Sequence, residues 1–338
     1  MILVTGGTGL LGSHLLLDIV RSGKQVRALR RATSNTGMVR KVFSYYDENP
    51  DELFGKIQWA EADLMDFGAL GDAMESITEV YHCGAVVSFY PKDHKAMLKV
   101  NMEGTANLVN LALEQRVSKF CYVSSVTTLG RGENNDVSTE ETFWLPSKRN
   151  SVYGISKYGA EREIWRGMEE GLNAVIINPS VILGPGFWNN NSRLFRMVWE
   201  GLKYYTRGVN GYVDVRDVSK SMISLMDRNI SGERFICSAE NLSYQNFFTL
   251  IAKYLNKPAP SVYVTPALTA VARRLETARA FVTGSRSKIT REMAITASQV
   301  YRYSSEKLWK TLNFKFRPVE ESIREICGFY MEDLKSDK

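Results

Sequence analysis

Metal ligands and paired cysteines are scarce in this sequence. It has 3 histidines and 4 cysteines among 338 residues, and the cysteines form no CxxC pair. His14, His82 and His94 lack the spacing of metal-binding histidines. Scattered cysteines beside hydrophobic, strand-like residues are typical of reduced, buried thiols rather than disulfides. We therefore predict no metal site and a cytoplasmic location.

Long hydrophobic runs are absent as well. No uninterrupted apolar stretch approaches the ~20 residues that a membrane-spanning helix needs. Strand-like sequence begins at Ile2, which leaves no room for a signal or transit peptide. We expect a protein without a membrane span and without a targeting segment.

The excess of one charge sign is small. Lysine and arginine number 43 against 37 acidic residues, which gives a net charge of +6. Such a balance is compatible with nucleic acid, an anionic lipid surface or a small anionic ligand. Because no basic run is interleaved with aromatic residues on which bases would stack, we predict a small-molecule substrate and no nucleic-acid partner.

Basic residues recur in the C-terminal third of the chain. They form either a solvated face or a site for an anionic substrate tail such as a phosphate or CoA group, and the pattern leaves both readings open. The residues concerned are Arg273, Arg274, Arg279, Arg286, Lys288 and Arg291.

The first half of the chain alternates short β-rich runs with amphipathic helical stretches. Strands are predicted at 2–5, 26–29, 57–60, 80–82, 120–124 and 174–177. This alternation predicts an α/β fold with a doubly wound parallel Rossmann sheet. After Pro179 the rhythm changes to a predicted helix at 194–205, one more strand at 212–215, and mostly helical sequence from Pro258 onward.

We therefore expect two domains. The dinucleotide-binding Rossmann domain is predicted at 1–178 plus about 206–235. A smaller, mostly helical C-terminal substrate-binding domain is predicted at about 179–205 plus 236–338.

Three glycines lie directly between the first predicted strand and the first predicted helix. Gly6 permits a tight turn, Gly9 lets the backbone approach a pyrophosphate, and Gly12 lets the helix pack close to the sheet. The helix then begins at Leu10 and Leu11, where unpaired N–H groups face an anion. This spacing predicts a dinucleotide-binding turn.

The end of the second strand indicates which dinucleotide is bound. NAD sites usually carry an acidic residue there, which holds the ribose hydroxyls. This chain has Arg30 and Arg31 instead, and guanidinium groups can bind a 2′-phosphate through two hydrogen bonds. We predict a preference for NADP(H), with NAD(H) also possible as cofactor.

A series of short motifs follows the glycine turn in a fixed order. They are Asp63-Leu64, His82-Cys83-Gly84-Ala85, Asn101, Tyr122-Val123-Ser124-Ser125, Tyr153-Gly154-Ile155-Ser156-Lys157, Asn178-Pro179-Ser180 and Tyr212-Val213-Asp214-Val215. This order resembles the extended short-chain dehydrogenase/reductases, the NAD(P)-dependent epimerase/dehydratase family. The stretches 124–130, 26–28 and 238–243 look most like their dihydroflavonol-4-reductase-like branch. The further cofactor contacts that the resemblance implies are Asp63, Leu64, Cys83, Gly84, Ala85, Tyr153, Lys157, Pro179, Ser180 and Val181.

The catalytic prediction centres on Tyr153 and Lys157, which are four residues apart and share one helical face. A lysine cation near a phenol favours the phenolate, so we predict that Lys157 lowers the pKa of Tyr153. Tyr153 would then exchange a proton with a carbonyl oxygen, and Ser125 would hydrogen-bond the same oxygen. The resemblance further implies that Lys157 holds the nicotinamide ribose and that Asn101 stabilises its helix or relays a proton.

The family contains several reactions, and two absences narrow the choice. Sugar-nucleotide dehydratases of the family place an Asp-Glu pair after the catalytic serine, where this chain has Val126 and Thr127. Many UDP-sugar enzymes have a diphosphate-binding arginine at the position of Asn210, although Arg193 and Arg207 leave a substitute open.

The resemblance therefore favours hydride transfer between NADP(H) and a carbonyl or secondary alcohol of a mostly apolar small molecule. The alternatives are a nucleotide-sugar epimerase that uses the same Ser/Tyr/Lys group, or a non-catalytic cofactor-binding regulator. The resemblance also implies a homodimer that pairs helices at 94–113 and 153–169. Apolar residues that could line the substrate pocket beside Ser125, with ordinary packing as the alternative for each, are Val86, Phe89, Phe187, Trp188, Phe195 and Trp199.

Overall fold

The computed structural model describes residues 1–130, 137–147, 150–189, 192–265, 268, 279 and 291–336. The N-terminal half alternates strands and helices as predicted. Its elements are β1 (Ile2–Thr5), α1 (Leu10–Arg21), β2 (Val26–Arg30), α2 (Gly37–Ser44), α3 (Pro50–Gly55), β3 (Ile57–Glu61), α4 (Phe67–Ala73), β4 (Glu79–His82), α5 (His94–Glu114), β5 (Lys119–Val123), α6 (Val152–Glu169) and β6 (Ala174–Pro179).

The strands described in the C-terminal half are shorter on average. The described elements of this half are β7 (Val181–Leu183), α7 (Arg193–Trp199), β8 (Tyr204–Tyr205), β9 (Val209–Asp214), α8 (Val215–Met226), β10 (Glu233–Cys237), β11 (Glu240–Ser243), α9 (Tyr244–Tyr254), β12 (Val262–Tyr263), α10 (Arg291–Ser298), α11 (Glu306–Leu312) and α12 (Val319–Ser336). The single helix predicted at 194–205 is wrong in its second part. Gly201 has φ +90° just after α7, and the chain continues as β8.

A seven-stranded sheet forms the centre of the molecule, in the order β10-β6-β5-β4-β1-β2-β3. Its neighbouring strands are all parallel, which confirms the doubly wound Rossmann prediction. Alternate residues of β1 enter two different cores because side chains of a strand point to opposite faces. Ile2 and Val4 pack with α1 and α8, whereas Leu3 packs with α5 and α6.

The strand predicted near Tyr212 does not extend this sheet. It is β9, which pairs with β7 and β11 in a separate three-stranded sheet, while β10 takes the seventh place beside β6. The chain leaves the large sheet at Ser180, between β6 and β7. Beyond Ser180, β7 and β9 belong to the smaller, three-stranded sheet.

A third core lies between the small sheet and α7, α9 and α12. The ring of Tyr212 on β9 stacks on Phe247 of α9, with centroids 4.2 Å apart. Phe195 and Tyr330 belong to the same core. The C-terminal part is therefore mostly helical where it is described, as predicted.

Two further predictions concern a membrane-spanning helix and the C-terminal basic residues. No helix among the described ranges is long and apolar enough to cross a membrane. Of the C-terminal basic cluster, Arg273, Arg274, Arg286 and Lys288 lie outside the described residues.

Candidate active site

The glycine turn forms a tight cradle between β1 and α1. Gly6 has φ +67°, and a Cβ on it would lie 2.7 Å from the carbonyl carbon of Cys83. A Cβ on Gly12 would lie 2.2 Å from the carbonyl oxygen of Gly6. Gly9 is the N-cap of α1 and offers no capping side chain, so the first N–H groups at Leu10 and Leu11 keep their capacity for an anion. The turn fits the pyrophosphate of a dinucleotide.

The two arginines that suggested NADP(H) lie at the end of β2. Arg30 is in register with Glu61 on β3, and its guanidinium is 3.5 Å from that carboxylate. Arg31 is exposed, and its backbone N–H and carbonyl close a turn with Ser34. Sequence reasoning overlooked Glu61, which brings a negative charge to the place where we expected only positive charge.

Asp63 and Leu64 follow β3 in a turn that abuts α5. Asp63 Oδ1 accepts from the Met65 N–H at 2.9 Å, and the Leu64 carbonyl accepts from Asn107 Nδ2 at 2.9 Å. A Cβ on Gly104 would lie 2.8 Å from the Leu64 side chain. The turn is therefore held against α5, at the same edge of the sheet as the glycine cradle.

His82 is a buried link that sequence reasoning missed. Its Nδ1 lies 2.6 Å from Thr5 Oγ1, and its Nε2 lies 3.0 Å from Thr105 Oγ1. Burial lowers the pKa of His82 to about 3, so the ring is neutral at physiological pH. The Gly84 N–H donates to the same Thr5 hydroxyl at 3.0 Å. The imidazole thus ties the Cys83–Ala85 loop to β1 and α5.

Asn101 connects three segments around the site. Its Oδ1 accepts from the Val86 N–H at 2.7 Å, and its Nδ2 donates to the Val86 carbonyl and to Ser156 Oγ, both at 2.9 Å. Ser156 in turn donates to the carbonyl of Tyr153 at 2.8 Å. These contacts join α5, the loop after β4 and α6, so the residue's contacts are those of a helix-stabilising side chain.

Tyr153, Ser125 and Lys157 meet at the carboxyl end of β5. The Ser125 hydroxyl lies near enough to the Tyr153 phenol to lower its pKa, and its Oγ accepts from the Thr127 N–H at 3.2 Å. Lys157 Nζ donates to the Val123 carbonyl at 2.7 Å and lies 4.3 Å from the Tyr122 ring centroid.

The prediction that Lys157 lowers the pKa of the tyrosine is wrong for this geometry. Burial raises the pKa of Tyr153 to about 12, and the nearby Ser125 hydroxyl offsets that rise only in part. Burial also lowers the pKa of Lys157 to about 7, with Glu161 acting in the opposite direction. The lysine is therefore only partly charged at neutral pH, and its N–H is directed to the backbone of β5.

Glu161 is the second functional candidate that sequence reasoning missed. It lies one helical turn beyond Lys157 and is 1% exposed. The signal was available in the sequence, because 153, 157 and 161 follow a four-residue spacing and place a carboxylate on the catalytic face of α6.

The residues between β6 and β7 complete the predicted cofactor side. Pro179 is the last residue of β6, and Val181 is the first residue of β7. The Ser180 N–H donates to the Cys237 carbonyl at 3.0 Å. Ser180 Oγ is buried and has no hydrogen-bond partner within the described ranges, which suits a polar ligand group.

The predicted substrate residues do not form one group. Val86 and Phe89 lie half-buried in the loop after β4, near Asn101. Phe187 packs on the core that contains α1 and α8. Trp188 donates its indole N–H to Asp333 at 2.8 Å and packs on Tyr330 and Phe195, so we now expect it to hold α12 rather than touch substrate.

Four further residues considered for substrate binding pack against other side chains or bond to neighbouring groups. Phe195 is 1% exposed and lies in the third core together with Trp199. Asn210 accepts from the Gly211 N–H at 2.9 Å and donates to Tyr244 at 3.4 Å. Arg207 stacks on Tyr263, 4.4 Å from the ring centroid.

Comparison with known proteins supports the chemistry read from this site. A family model described as the NAD dependent epimerase/dehydratase family matches residues 2–237. A putative dihydroflavonol 4-reductase from Synechocystis sp. is 30% identical over 269 residues, covering 76% of this chain and 73% of that protein. Cinnamoyl-CoA reductase 1 from Petunia hybrida is 25% identical, covering 96% of this chain and 90% of the relative.

Solved structures agree on the fold. The crystal structure of gox2253 superposes with a TM-score of 0.82 at 27% identity and covers 98% of both chains. UDP-glucose 4-epimerase from Thermotoga maritima has a TM-score of 0.77 at 19% identity, covering 98% of this chain and 99% of that one.

The glycine cradle, the parallel sheet and the Ser/Tyr/Lys group define an NAD(P)-dependent oxidoreductase of the extended short-chain dehydrogenase/reductase type. The chain belongs to the NAD-dependent epimerase/dehydratase family.

Proposed function

We propose that this enzyme transfers a hydride between NADP(H) and a carbonyl or secondary alcohol of a mostly apolar small molecule. The observation that carries the proposal is the buried group at the end of β5, where the Ser125 hydroxyl meets the Tyr153 phenol beside Lys157. The nicotinamide, when bound, supplies or accepts the hydride. The remaining chemistry falls to these side chains.

In the reducing direction, Tyr153 donates its proton to the substrate carbonyl oxygen. Because burial raises its pKa to about 12, the phenol is protonated at neutral pH, which is the form that reduction requires. Ser125 donates a hydrogen bond to the same oxygen as negative charge develops. Lys157 would hold the nicotinamide ribose, as the family resemblance implies.

Cofactor binding is assigned to the cradle and its neighbours. Gly6, Gly9 and Gly12 would admit the pyrophosphate, and Ser180 would meet a polar group of the cofactor. For the 2′-phosphate of NADP(H) we propose Arg30 and Arg31. Glu61 lies beside Arg30 and opposes the preference for NADP(H), because a carboxylate repels a phosphate.

An apolar substrate is supported by what surrounds the group. The Val86 backbone bonds to Asn101, Val126 and Thr127 replace the acid pair of the dehydratases, and Asn210 is buried where a diphosphate-binding arginine would stand. The relatives named for dihydroflavonol, cinnamoyl-CoA and tetraketide pyrone reduction point the same way.

We also propose the division into a nucleotide domain at 1–178 plus about 206–235 and a substrate domain from the remainder. A homodimer through α5 and α6 is proposed as well. Met102 on α5 and Ile155 on α6 expose apolar side chains that such a dimer would cover.

The test is NADPH consumption with a panel of aldehydes and ketones, run beside UDP- and GDP-sugars. Reduction of apolar carbonyls is the expected result. Turnover of sugar nucleotides alone would establish the epimerase alternative, and NADPH binding without any turnover would point to a regulator.

A further inference from the structure

A single buried carboxylate on α6 gathers the polar side chains behind the reacting group. The partners of Glu161 Oε2 are Ser124, Thr128 at 2.7 Å and Asn178 Nδ2 at 3.0 Å. Its other oxygen, Oε1, accepts from Arg234 at 3.3 Å and from the Trp165 indole at 3.4 Å. A carboxylate taken this far out of water is stable only with such a complete set of donors.

The partners on Oε2 hold the turn that carries Ser125. Thr128 Oγ1 lies 2.8 Å from the Ser125 carbonyl, and Asn178 Nδ2 donates to that carbonyl at 3.2 Å. Ser124, Thr128 and Asn178 therefore join the carboxylate to both sides of Ser125. The direction of the Ser125 hydroxyl depends on this turn, because its Oγ also accepts from the Thr127 N–H inside it.

The same carboxylate acts electrostatically on Lys157, one helical turn away. Burial lowers the pKa of Lys157 to about 7, and Glu161 is the largest influence that opposes this. The lysine is thus a cation below that pH and loses its proton above it. The other groups that face it are His82, Cys83, Tyr122 and the Val123 carbonyl.

We propose that Glu161 is a positioning residue of the reaction, which fixes the turn that carries Ser125. The inference rests on the proposed roles of Ser125, Tyr153 and Lys157. Arg234 offsets the cost of burying the Glu161 charge, because its guanidinium pairs with Oε1, the oxygen that does not bond to the turn. Arg234 in turn donates to the Glu140 carbonyl at 3.0 Å.

The decisive variant is Glu161→Gln, which keeps the shape and removes the charge. Glu163→Gln is the matched control, because Glu163 is a carboxylate on the same helix whose ion pair is with the half-exposed Arg166, 2.9 Å away. In Glu161→Gln, kcat for NADPH-dependent reduction at pH 7.5 should fall at least about tenfold, with KM for NADPH close to wild type. Glu163→Gln should match wild type in both.

The pH profile separates positioning from general destabilisation. Loss of the negative charge lowers the pKa of Lys157 further, so the decline of kcat with rising pH should move about one unit toward acid. Part of the lost activity should therefore return near pH 6. An unshifted profile with unchanged kcat would overturn the proposal.

A second variant covers the case in which Glu161→Gln does not fold. Glu161→Asp keeps the charge that pairs with Arg234 but withdraws it from the turn by one methylene. It should lower kcat without moving the pH profile, and wild-type kcat would contradict a positioning role.

Amide hydrogen exchange at 125–129 reports on the turn without any turnover. Exchange there should become faster in Glu161→Gln and Glu161→Asp but not in Glu163→Gln. If wild-type enzyme reduces no carbonyl, the proposed function fails, yet this measurement still decides whether Glu161 holds the turn. Unchanged exchange in both variants would refute that hold.

Discussion

The nucleotide half and the C-terminal half of the molecule use buried polar side chains for different ends. In the nucleotide half, His82, Asn101 and Glu161 each join a loop at the sheet edge to a neighbouring helix, and each contact lies behind a predicted catalytic or cofactor residue. Their arrangement sets geometry within the site.

In the C-terminal half, buried charges attach α12 to the rest of the protein. Asp333 accepts from Tyr45 and from Trp188, and it forms an ion pair with Lys41 at 2.7 Å. Arg216 pairs with Asp214 at 2.8 Å and with Glu325 of α12 at 2.6 Å. We therefore expect the buried polar side chains of the nucleotide half to govern turnover and the charges that attach α12 to govern stability.

The largest effect is expected from Tyr153→Phe, which removes the proposed proton donor. We expect kcat to fall by about 10²–10⁴-fold while NADPH binding persists, since the ring and its packing remain. Tyr158→Phe is the control, because that tyrosine lies on the same helix and stacks on Trp144, 4.2 Å away. Steady-state kinetics with fluorescence titration of NADPH measures both, and full turnover in Tyr153→Phe would exclude the donor role.

A smaller but still large effect is expected from Gly12→Ala in the cradle. The new methyl would lie 2.2 Å from the Gly6 carbonyl oxygen, so the turn must shift. NADPH affinity should fall at least about tenfold, which corresponds to ~1.4 kcal/mol. Gly55→Ala provides the control, since nothing lies within 4 Å of its added Cβ. Wild-type affinity in Gly12→Ala, measured by calorimetry, would argue against a cofactor in this cradle.

The next effect in size is on cofactor preference and is expected from Arg30→Asp at the end of β2. The variant exchanges a cation for an acid that can hold ribose hydroxyls, so the ratio of NADPH to NADH affinity should fall about tenfold. Glu61→Gln should shift the ratio the other way, because it frees Arg30 of its ion pair. The NADP(H) assignment is wrong if Arg30→Asp neither weakens NADPH nor improves NADH.

The smallest effect on turnover is expected from Asp333→Ala, which breaks the attachment of α12. Loss of this buried acceptor leaves the Tyr45 hydroxyl and the Trp188 N–H unpaired, so the free energy of unfolding should fall by about 1–3 kcal/mol. Asp227→Ala, which breaks an exposed pair with Lys24, should cost less than about 1 kcal/mol. Urea denaturation measures both, and kcat below the melting range should stay near wild type.

Local sequence patterns predicted most of the N-terminal half. The strands near 2–5, 26–29 and 57–60 begin where predicted, because a parallel sheet covered on both faces favours short hydrophobic runs that stand out in the sequence. The sheet to which β9 belongs was not predictable in this way. A strand's sequence shows that one side is buried, but its partner strands depend on where the chain turns at Ser180.

The site shows the same division. Spacing alone placed Tyr153 and Lys157 on one helical face, and the same spacing offered Glu161. The direction of the Tyr153 pKa shift was predicted wrongly, because the desolvation that dominates it depends on burial by distant segments. Trp188 was a candidate for the substrate pocket because of its apolar character, whereas its indole N–H donates to Asp333 of α12, 145 residues further along the chain.

By itself the sequence determined the glycine cradle, the alternation of strands and helices, and the residues that share the catalytic face of α6. These features depend on local geometry, which repeats every two or about four residues. Only the tertiary structure decided that Glu61 meets Arg30, that Glu161 lies behind Ser125, and that Asp333 attaches α12 to α2. Those contacts join residues far apart in the chain, so their energies depend on burial and distance, which arise only when the layers pack.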